Sequence, residues 1–324
     1  DAMGRHLFTG AGVLDYAGDN KHRFLMDYYN AMVGPGFGFT LSSLMDFTLR
    51  PYDNSRYGLI EEISGVTLYT NIPWNRGENM SSEHRLQIKT AYKDRQIQLY
   101  EKDENNWKFV PSQDEMISVP KSIQEGVVSL EYRWLNRRPH KYNQMVPKRG
   151  HGMSFSIDHA NSSISGYMDY TRFTGDAFMN YSVGDAVLYG RIKTVAMLGT
   201  PPIHNQLALT EDTPIYFPTH NLLAENEVMN PRGWHGSRRG DRLVFGTVEY
   251  RTGSQKVSLA IISDIANSWI SGQELKNWII TGGYELRASV LGTVLAFGQA
   301  QTVEDWQEGL DPETYLKLTL INPF

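Results

Sequence analysis

The chain has 324 residues, of which 40% are hydrophobic and 12% aromatic, with a net charge of −5 and no cysteine. This composition excludes a disulfide framework and thiolate chemistry, and it gives no reason to expect nucleic-acid binding. No stretch approaches the roughly 18 apolar residues of a membrane-spanning helix, which excludes helical membrane proteins but not β-barrels, whose apolar residues alternate with polar ones.

Alternation of apolar and polar residues predicts about fourteen β-strands and no helix longer than two or three turns. Segment 100–123 is long, polar and aromatic, and we expect it to be a loop. In chain order the predicted strands cover 5–14, 22–32, 37–42, 63–73, 85–89, 128–134, 153–158, 167–181, 188–198, 241–251, 257–264, 284–289, 293–301 and 315–320.

The connections differ in length at the two ends of these strands. Those after strands two, ten and twelve are short, whereas those after three, five, nine, eleven and thirteen are longer. A soluble sandwich shows the same alternation, but long loops at one end and short turns at the other characterise outer-membrane barrels. The exception is the basic connection 136–150, for which solvation is favoured over contact with phosphate headgroups.

We therefore predict an all-β transmembrane antiparallel barrel, formed as a single domain by residues 1–324. Its apolar strand faces should form a band about 25 Å tall in contact with outer-membrane lipid. The residues expected to contact lipid are Val128, Leu130, Leu316 and Leu318.

The long loop 199–240 carries the sequence Arg232-Gly233-Trp234, directly before the amphipathic strand that ends at Arg251. By itself such a motif is also typical of an ordinary surface loop. At the other end of the chain, Phe324 follows an alternating strand with Leu316, Leu318 and Leu320.

These features resemble the surface-antigen superfamily of BamA-type outer-membrane barrels, and the terminal residues resemble the assembly signal of such barrels. The family has an Arg-Gly-aromatic motif in a long extracellular loop, then a strand, then a strand with an inward Asp, which matches Asp264. The next family strand often contains Gly-x-Gly-x-Arg, of which 282–287 is a loose version. The resemblance is good over 225–324 and only architectural upstream.

The resemblance implies that Arg232 reaches into the barrel and contacts Asp264. A buried guanidinium needs a carboxylate, because an unpaired buried charge is costly. Glu249 and Glu285 face the same side by strand parity and compete as partners. The alternative is that Arg232 is solvated and Asp264 is only a polar residue facing the lumen.

Enzymatic interpretations are weak. His151 and His159 flank a predicted strand near Asp158, but two scattered histidines are poor evidence for a metal site. Segments 201–204 and 311–313 lack ligand or catalytic spacing, and no nucleophile elbow, P-loop or zinc signature occurs. We expect no catalytic residue, cofactor or metal.

Three functions follow from these expectations. The first is a BamA-type barrel that inserts or translocates proteins in the outer membrane of a Gram-negative-type bacterium, offering strand edges to an incoming strand. The second is a structural barrel anchoring an extramembrane domain or a multi-protein complex. The third is a passive porin, which should conduct ions steadily, whereas a plugged lumen favours the first two.

The family barrels have sixteen strands, and we expect about two fewer in this chain, both missing from the front. Residues 1–6 resemble the family's Asp-x-x-Gly turn between its second and third strands. The resemblance therefore implies that a hairpin outside this sequence completes the barrel, supplied by an upstream segment or by another chain.

Overall fold

The structure is a computed structural model that describes residues 6–14, 22–30, 35–52, 57–73, 83–103, 106–109, 122–136, 150–165, 169–199, 207–210, 228–254, 256–290 and 293–320. Its strands are β1 (His6–Leu14), β2 (His22–Asn30), β3 (Gly36–Tyr52), β4 (Tyr57–Pro73), β5 (Glu83–Asp103), β6 (Asn106–Phe109), β7 (Ser122–Asn136), β8 (Gly150–Ala160), β9 (Tyr170–Val183), β10 (Ala186–Gly199), β11 (Leu207–Thr210), β12 (Val228–Met229), β13 (Ser237–Gly240), β14 (Arg242–Gly253), β15 (Val257–Trp269), β16 (Ile279–Val290), β17 (Thr293–Thr302) and β18 (Glu313–Leu320). The helices are α1 (Ser162–Ser165) and α2 (Val303–Glu308).

Fourteen strands form one continuous path in the order β1-β2-β3-β4-β5-β7-β8-β9-β10-β14-β15-β16-β17-β18. Each pair along this path is antiparallel, β6 pairs with β5, and β12-β11-β13 make a separate small sheet. The predicted all-β class and the predicted number of strands are confirmed. We call the end that carries segment 200–241 the loop end and the opposite end, with the β9–β10 turn, the turn end.

Three neighbouring strands, β3, β4 and β5, are longer than predicted. They contain 17, 17 and 21 residues, whereas about 9–11 suffice to cross a bilayer. The connection expected to be long after the third strand is a paired hairpin, in which Tyr52 lies opposite Tyr57. The prediction of a loop over 100–123 is wrong in part, because β5 continues to Asp103 and pairs with β6. Backbone pairing with a neighbouring strand stabilises these extensions whether or not their side chains are apolar.

The sheet has one apolar and one polar face, which we call the outer and inner faces. On β15, Ile261 and Ile265 are exposed on the outer face, whereas Asp264 between them is buried on the inner face. Val128, Leu130 and Leu316 are also exposed, as expected for residues that face lipid. The side chain of Leu318 lies outside the described part of the structure.

The sheet is strongly curved. Val187 on β10 and Val294 on β17 are in contact, although four strand steps separate them and would place them about 19 Å apart in a flat sheet. At the loop end, Leu209 of β11 packs with Val195, Leu243 and Phe245 in the main apolar cluster of the inner face. The small sheet therefore lies against the inner wall of the curved large sheet.

Among the described residues, no backbone pairing joins β1 to β18. The extra hairpin expected from the sequence stays a prediction. No helix in the described ranges is long and apolar enough to cross a membrane.

Candidate functional site: an arginine cluster on the inner face

A tight turn carries Arg232 to the inner wall. The amide of Trp234 donates a hydrogen bond to the carbonyl of Pro231 over 3.3 Å, which closes the turn around Arg232 and Gly233. Gly233 has φ 72°, and a Cβ on it would lie 2.2 Å from the carbonyl carbon of Ala300 on β17. Only glycine combines this left-handed conformation with such a close approach to another backbone.

Arg232 and Asp264 form a bidentate contact, the strongest geometry for this pair of groups. Arg232 Nε donates to Asp264 Oδ2 over 2.8 Å, and a terminal nitrogen donates to Oδ1. The backbone amide of Arg232 also donates to Asp264 Oδ2 over 3.1 Å. Asp264 is 1% exposed, so this carboxylate binds both the side chain and the backbone of the turn away from bulk water.

The two glutamates predicted as competing partners contact Arg232 at the same time. Its second terminal nitrogen donates to Glu249 over 2.9 Å and to Glu285 over 3.1 Å. The nitrogen that contacts Asp264 also donates to the hydroxyl of Thr247 over 2.6 Å. The structure thus brings together Arg232, Asp264, Glu249 and Glu285 in one cluster.

Other members of the cluster were missed in the sequence. Arg287 donates to Glu249 over 2.8 Å and to Glu285 over 2.7 Å, and Arg251 donates to Glu249 over 2.7 Å. A parity signal could have found both arginines, because Glu249 and Arg251, like Glu285 and Arg287, are two residues apart on one strand. Tyr315 on β18 also donates to Glu285, over 2.9 Å; a lone tyrosine on another strand carries no comparable signal.

The cluster is electrically balanced, with three guanidinium groups and three carboxylates in mutual contact. Burial alone would lower the pKa of Arg232, but the hydrogen bonds to Asp264 and the charges of Asp264, Glu249 and Glu285 raise that pKa well above its usual value. Arg232 therefore stays charged, and its role is electrostatic attachment rather than proton transfer.

A second contact holds the loop nearer its end. Trp234 packs against the main apolar cluster, and the guanidinium of Arg238 lies 5.9 Å from the centre of the Trp234 ring. Arg238 also donates to Asn267 on β15 over 3.3 Å and to the carbonyl of Asn277 in the β15–β16 connection. The segment around the motif is thus attached to the wall by a buried ionic contact and by an aromatic one.

Strands β5 to β10 carry further ion pairs on the inner face. Arg95 bonds Glu125 over 2.7 Å, and Arg172 bonds Asp158 over 2.8 Å. Arg191 pairs with Asp176 in a more exposed position. These pairs link neighbouring strands, so charge on the inner face is largely matched within the wall.

The histidines considered in the sequence do not form a site. His159 is exposed and bonds Thr171 over 3.0 Å, whereas Asp158 points to the inner face and binds Arg172. His151 contacts the ring of Trp134 edge-on. No group of three or more potential metal-ligating residues occurs within the described ranges.

The residues of the C-terminal signal are only partly described. Leu316 is exposed on the outer face of β18. Leu318 and Leu320 lie on β18 with side chains outside the described set, and Phe324 lies beyond the described residues.

Solved structures with this fold were found. The chain is similar to BamA from Haemophilus ducreyi lacking POTRA domains 1–3, with a TM-score of 0.56 and 12% identity, covering 97% of this chain and 69% of that one. It is also similar to CdiB from Acinetobacter baumannii, with a TM-score of 0.55 and 10% identity, covering 97% of this chain and 56% of that one. No protein-family model and no curated protein matches the sequence.

The comparisons confirm the predicted BamA-type resemblance at the level of fold. The chain has the fold of these two barrels along almost its whole length. This fold agrees with the prediction that the chain is an outer-membrane barrel.

Proposed function

We propose that this chain is an outer-membrane barrel that inserts or translocates polypeptides, with its long loop held inside the barrel by Arg232. The proposal is carried by the cluster in which Arg232 binds Asp264, Glu249 and Glu285 together. A fixed loop at this position narrows the interior and stiffens β14–β16, because one side chain joins three adjacent strands.

The edges of β1 and β18, which no backbone pairing joins within the described residues, are the proposed contact for a client. An edge strand presents free N–H and C=O groups, which bind an extended polypeptide by adding a strand to the sheet. A bilayer does not tolerate such groups unpaired. We propose that they are paired at rest by a hairpin from an upstream segment or another chain, and that a client strand replaces part of that pairing.

A structural barrel that anchors another domain or a membrane complex is the second candidate. The observation that favours it is the number of matched ion pairs along the inner wall, including Arg95–Glu125 and Arg172–Asp158. Such pairs join neighbouring strands and suit a wall that keeps one conformation. A passive porin is less consistent with a loop attached across β14–β16.

Client folding in proteoliposomes tests the proposal. Vesicles containing the natural chain, in the assembly purified from its membrane, should accelerate folding of an unfolded outer-membrane barrel relative to empty vesicles. Arg232→Ala should reduce the acceleration, whereas Arg172→Ala, which removes a buried arginine paired with Asp158 and not with a carboxylate of the Arg232 cluster, serves as the matched control. No acceleration by the natural chain would leave the anchoring function as the better account.

A further inference from the structure

We infer that the outer face carries a binding groove for one acyl chain of a membrane phospholipid, directly behind the arginine cluster. The inference goes beyond polypeptide handling and rests only on the proposed membrane location. A cavity of about 460 Å³ opens on the outer face of β9, β10, β14 and β15. This volume is within the range of about 300–1,000 Å³ in which proteins bind small molecules.

The floor of the groove exists because side chains are missing there. Gly190 on β10 and Gly246 on β14 lie on the outer face among the residues lining the cavity. A Cβ added to Gly190 would meet no atom within 4 Å, whereas one added to Gly246 would lie 3.0 Å from Ile265 Cγ2. The space above Gly190 is therefore open, and a larger side chain at that position fills the groove without displacing the wall.

The rim is apolar and already faces the membrane. It is formed by exposed side chains on four strands: Met179, Ile192, Val248 and Ile265. The hydroxyl of Ser263, also at the cavity, donates to the carbonyl of Thr281 over 3.0 Å. With that hydroxyl engaged, the groove selects for an apolar chain rather than for a ligand that needs hydrogen bonds.

The position along the strands indicates which lipid leaflet supplies the chain. One step nearer the turn end, Tyr181, Tyr250 and Tyr284 lie in one row across the sheet with Leu188 and Ile261 between them. All three tyrosines are exposed on the outer face. Tyrosines mark the interface between the hydrocarbon and the headgroups in outer-membrane barrels. A phospholipid of the leaflet at the turn end can therefore place its headgroup near this row and one acyl chain in the groove.

Thr247 and Asp264 also line the cavity through their strands, while their side chains bind Arg232 on the inner face. The groove and the arginine cluster are thus two sides of the same piece of wall. Gly190 and Gly246 have no side chains to pack at this place on the outer face. An acyl chain in the groove supplies van der Waals contacts to β10, β14 and β15 there.

The test measures lipid retention by native mass spectrometry. The full chain is reconstituted in vesicles of palmitoyl-oleoyl phosphatidylethanolamine and phosphatidylglycerol, then extracted in a mild detergent. The natural chain should retain a single phospholipid, and Gly190→Leu should lose it. Gly282→Leu is the matched control, because Gly282 also lies on the outer face with no atom within 4 Å of an added Cβ, but is not among the residues that line the groove.

Each other result overturns the inference. Equal retention by the natural chain and Gly190→Leu, or equal loss in both variants, would show that the groove is not the binding position. A groove occupied by a second copy would appear as a dimer that Gly190→Leu dissociates. A heat-modifiable band in electrophoresis shows whether the barrel is folded. A folded natural chain without bound lipid would overturn the inferred lipid groove alone. A chain that does not fold in vesicles would overturn the proposed membrane location as well.

Discussion

Replacing Arg232 with alanine should release the loop from the inner wall. Arg232 donates five side-chain hydrogen bonds, of which four go to carboxylates, and its side chain is only 13% exposed. Removing one partner of a buried ion pair costs about 3–5 kcal/mol, because the remaining charge stays buried without its partner. Asp264 loses its bidentate partner, whereas Glu249 and Glu285 keep Arg287, so the lower half of that range applies.

Limited trypsin digestion measures the release. Within segment 200–241 the tryptic sites are Arg232, Arg238 and Arg239, and the segment contains no lysine. A loss of about 3 kcal/mol in the attachment of the loop raises the open population, and hence cleavage after Arg238 or Arg239, by about two orders of magnitude when opening is fast relative to cleavage. Arg172→Ala, which breaks the pair with Asp158 between β8 and β9, should leave this cleavage unchanged.

Lysine is the more discriminating replacement. Its ammonium keeps the charge but has three donors and no planar fork, so it cannot reproduce the bidentate contact with Asp264 while reaching Glu249 and Glu285. Arg232→Lys should therefore be cleaved at a rate between those of the natural chain and Arg232→Ala. Cleavage of Arg232→Ala at the natural rate would refute the reasoning, because the loop would then be held by other contacts.

Three further predictions concern single residues. Gly233→Ala should release the loop as Arg232→Ala does, because its Cβ would lie 2.2 Å from the backbone of β17; trypsin digestion at the natural rate would contradict this. Tyr315→Phe removes one hydrogen bond to Glu285 and should lower the free energy of unfolding by about 1.5–3 kcal/mol. Urea titration in detergent or vesicles measures this loss, and an unchanged free energy of unfolding would contradict the prediction. Val128→Arg places a charge on the outer face and should cost about 2–4 kcal/mol if the residue is near the bilayer midplane; an unchanged unfolding midpoint in vesicles would show that this face is not in lipid.

Strand parity made much of the arginine cluster predictable. The two-residue period places Glu249, Asp264 and Glu285 on one face without any knowledge of the fold, and the motif resemblance links Arg232 to them. The same period could have added Arg251 and Arg287. The sequence does not specify that one guanidinium contacts three carboxylates. This contact depends on the register of β14, β15 and β16 and on how far the turn around Arg232 reaches along the inner wall.

Other parts of the fold give weak sequence signals. The small sheet was missed because β11, β12 and β13 have four, two and four residues, too few for a periodicity to be recognised. The extensions of β3, β4 and β5 were missed because their pairing is between backbones, and polar side chains there resemble those of loops. The groove depends on empty space above Gly190, which only neighbouring strands define.

Single-channel conductance in a planar bilayer tests the central claim most directly, namely that Arg232 holds the loop inside the barrel. The natural chain should show low conductance, and Arg232→Ala should show larger and fluctuating openings as the loop leaves the wall, while Arg172→Ala resembles the natural chain. A natural chain that conducts steadily, at the level of Arg232→Ala, would contradict the account and favour the passive porin.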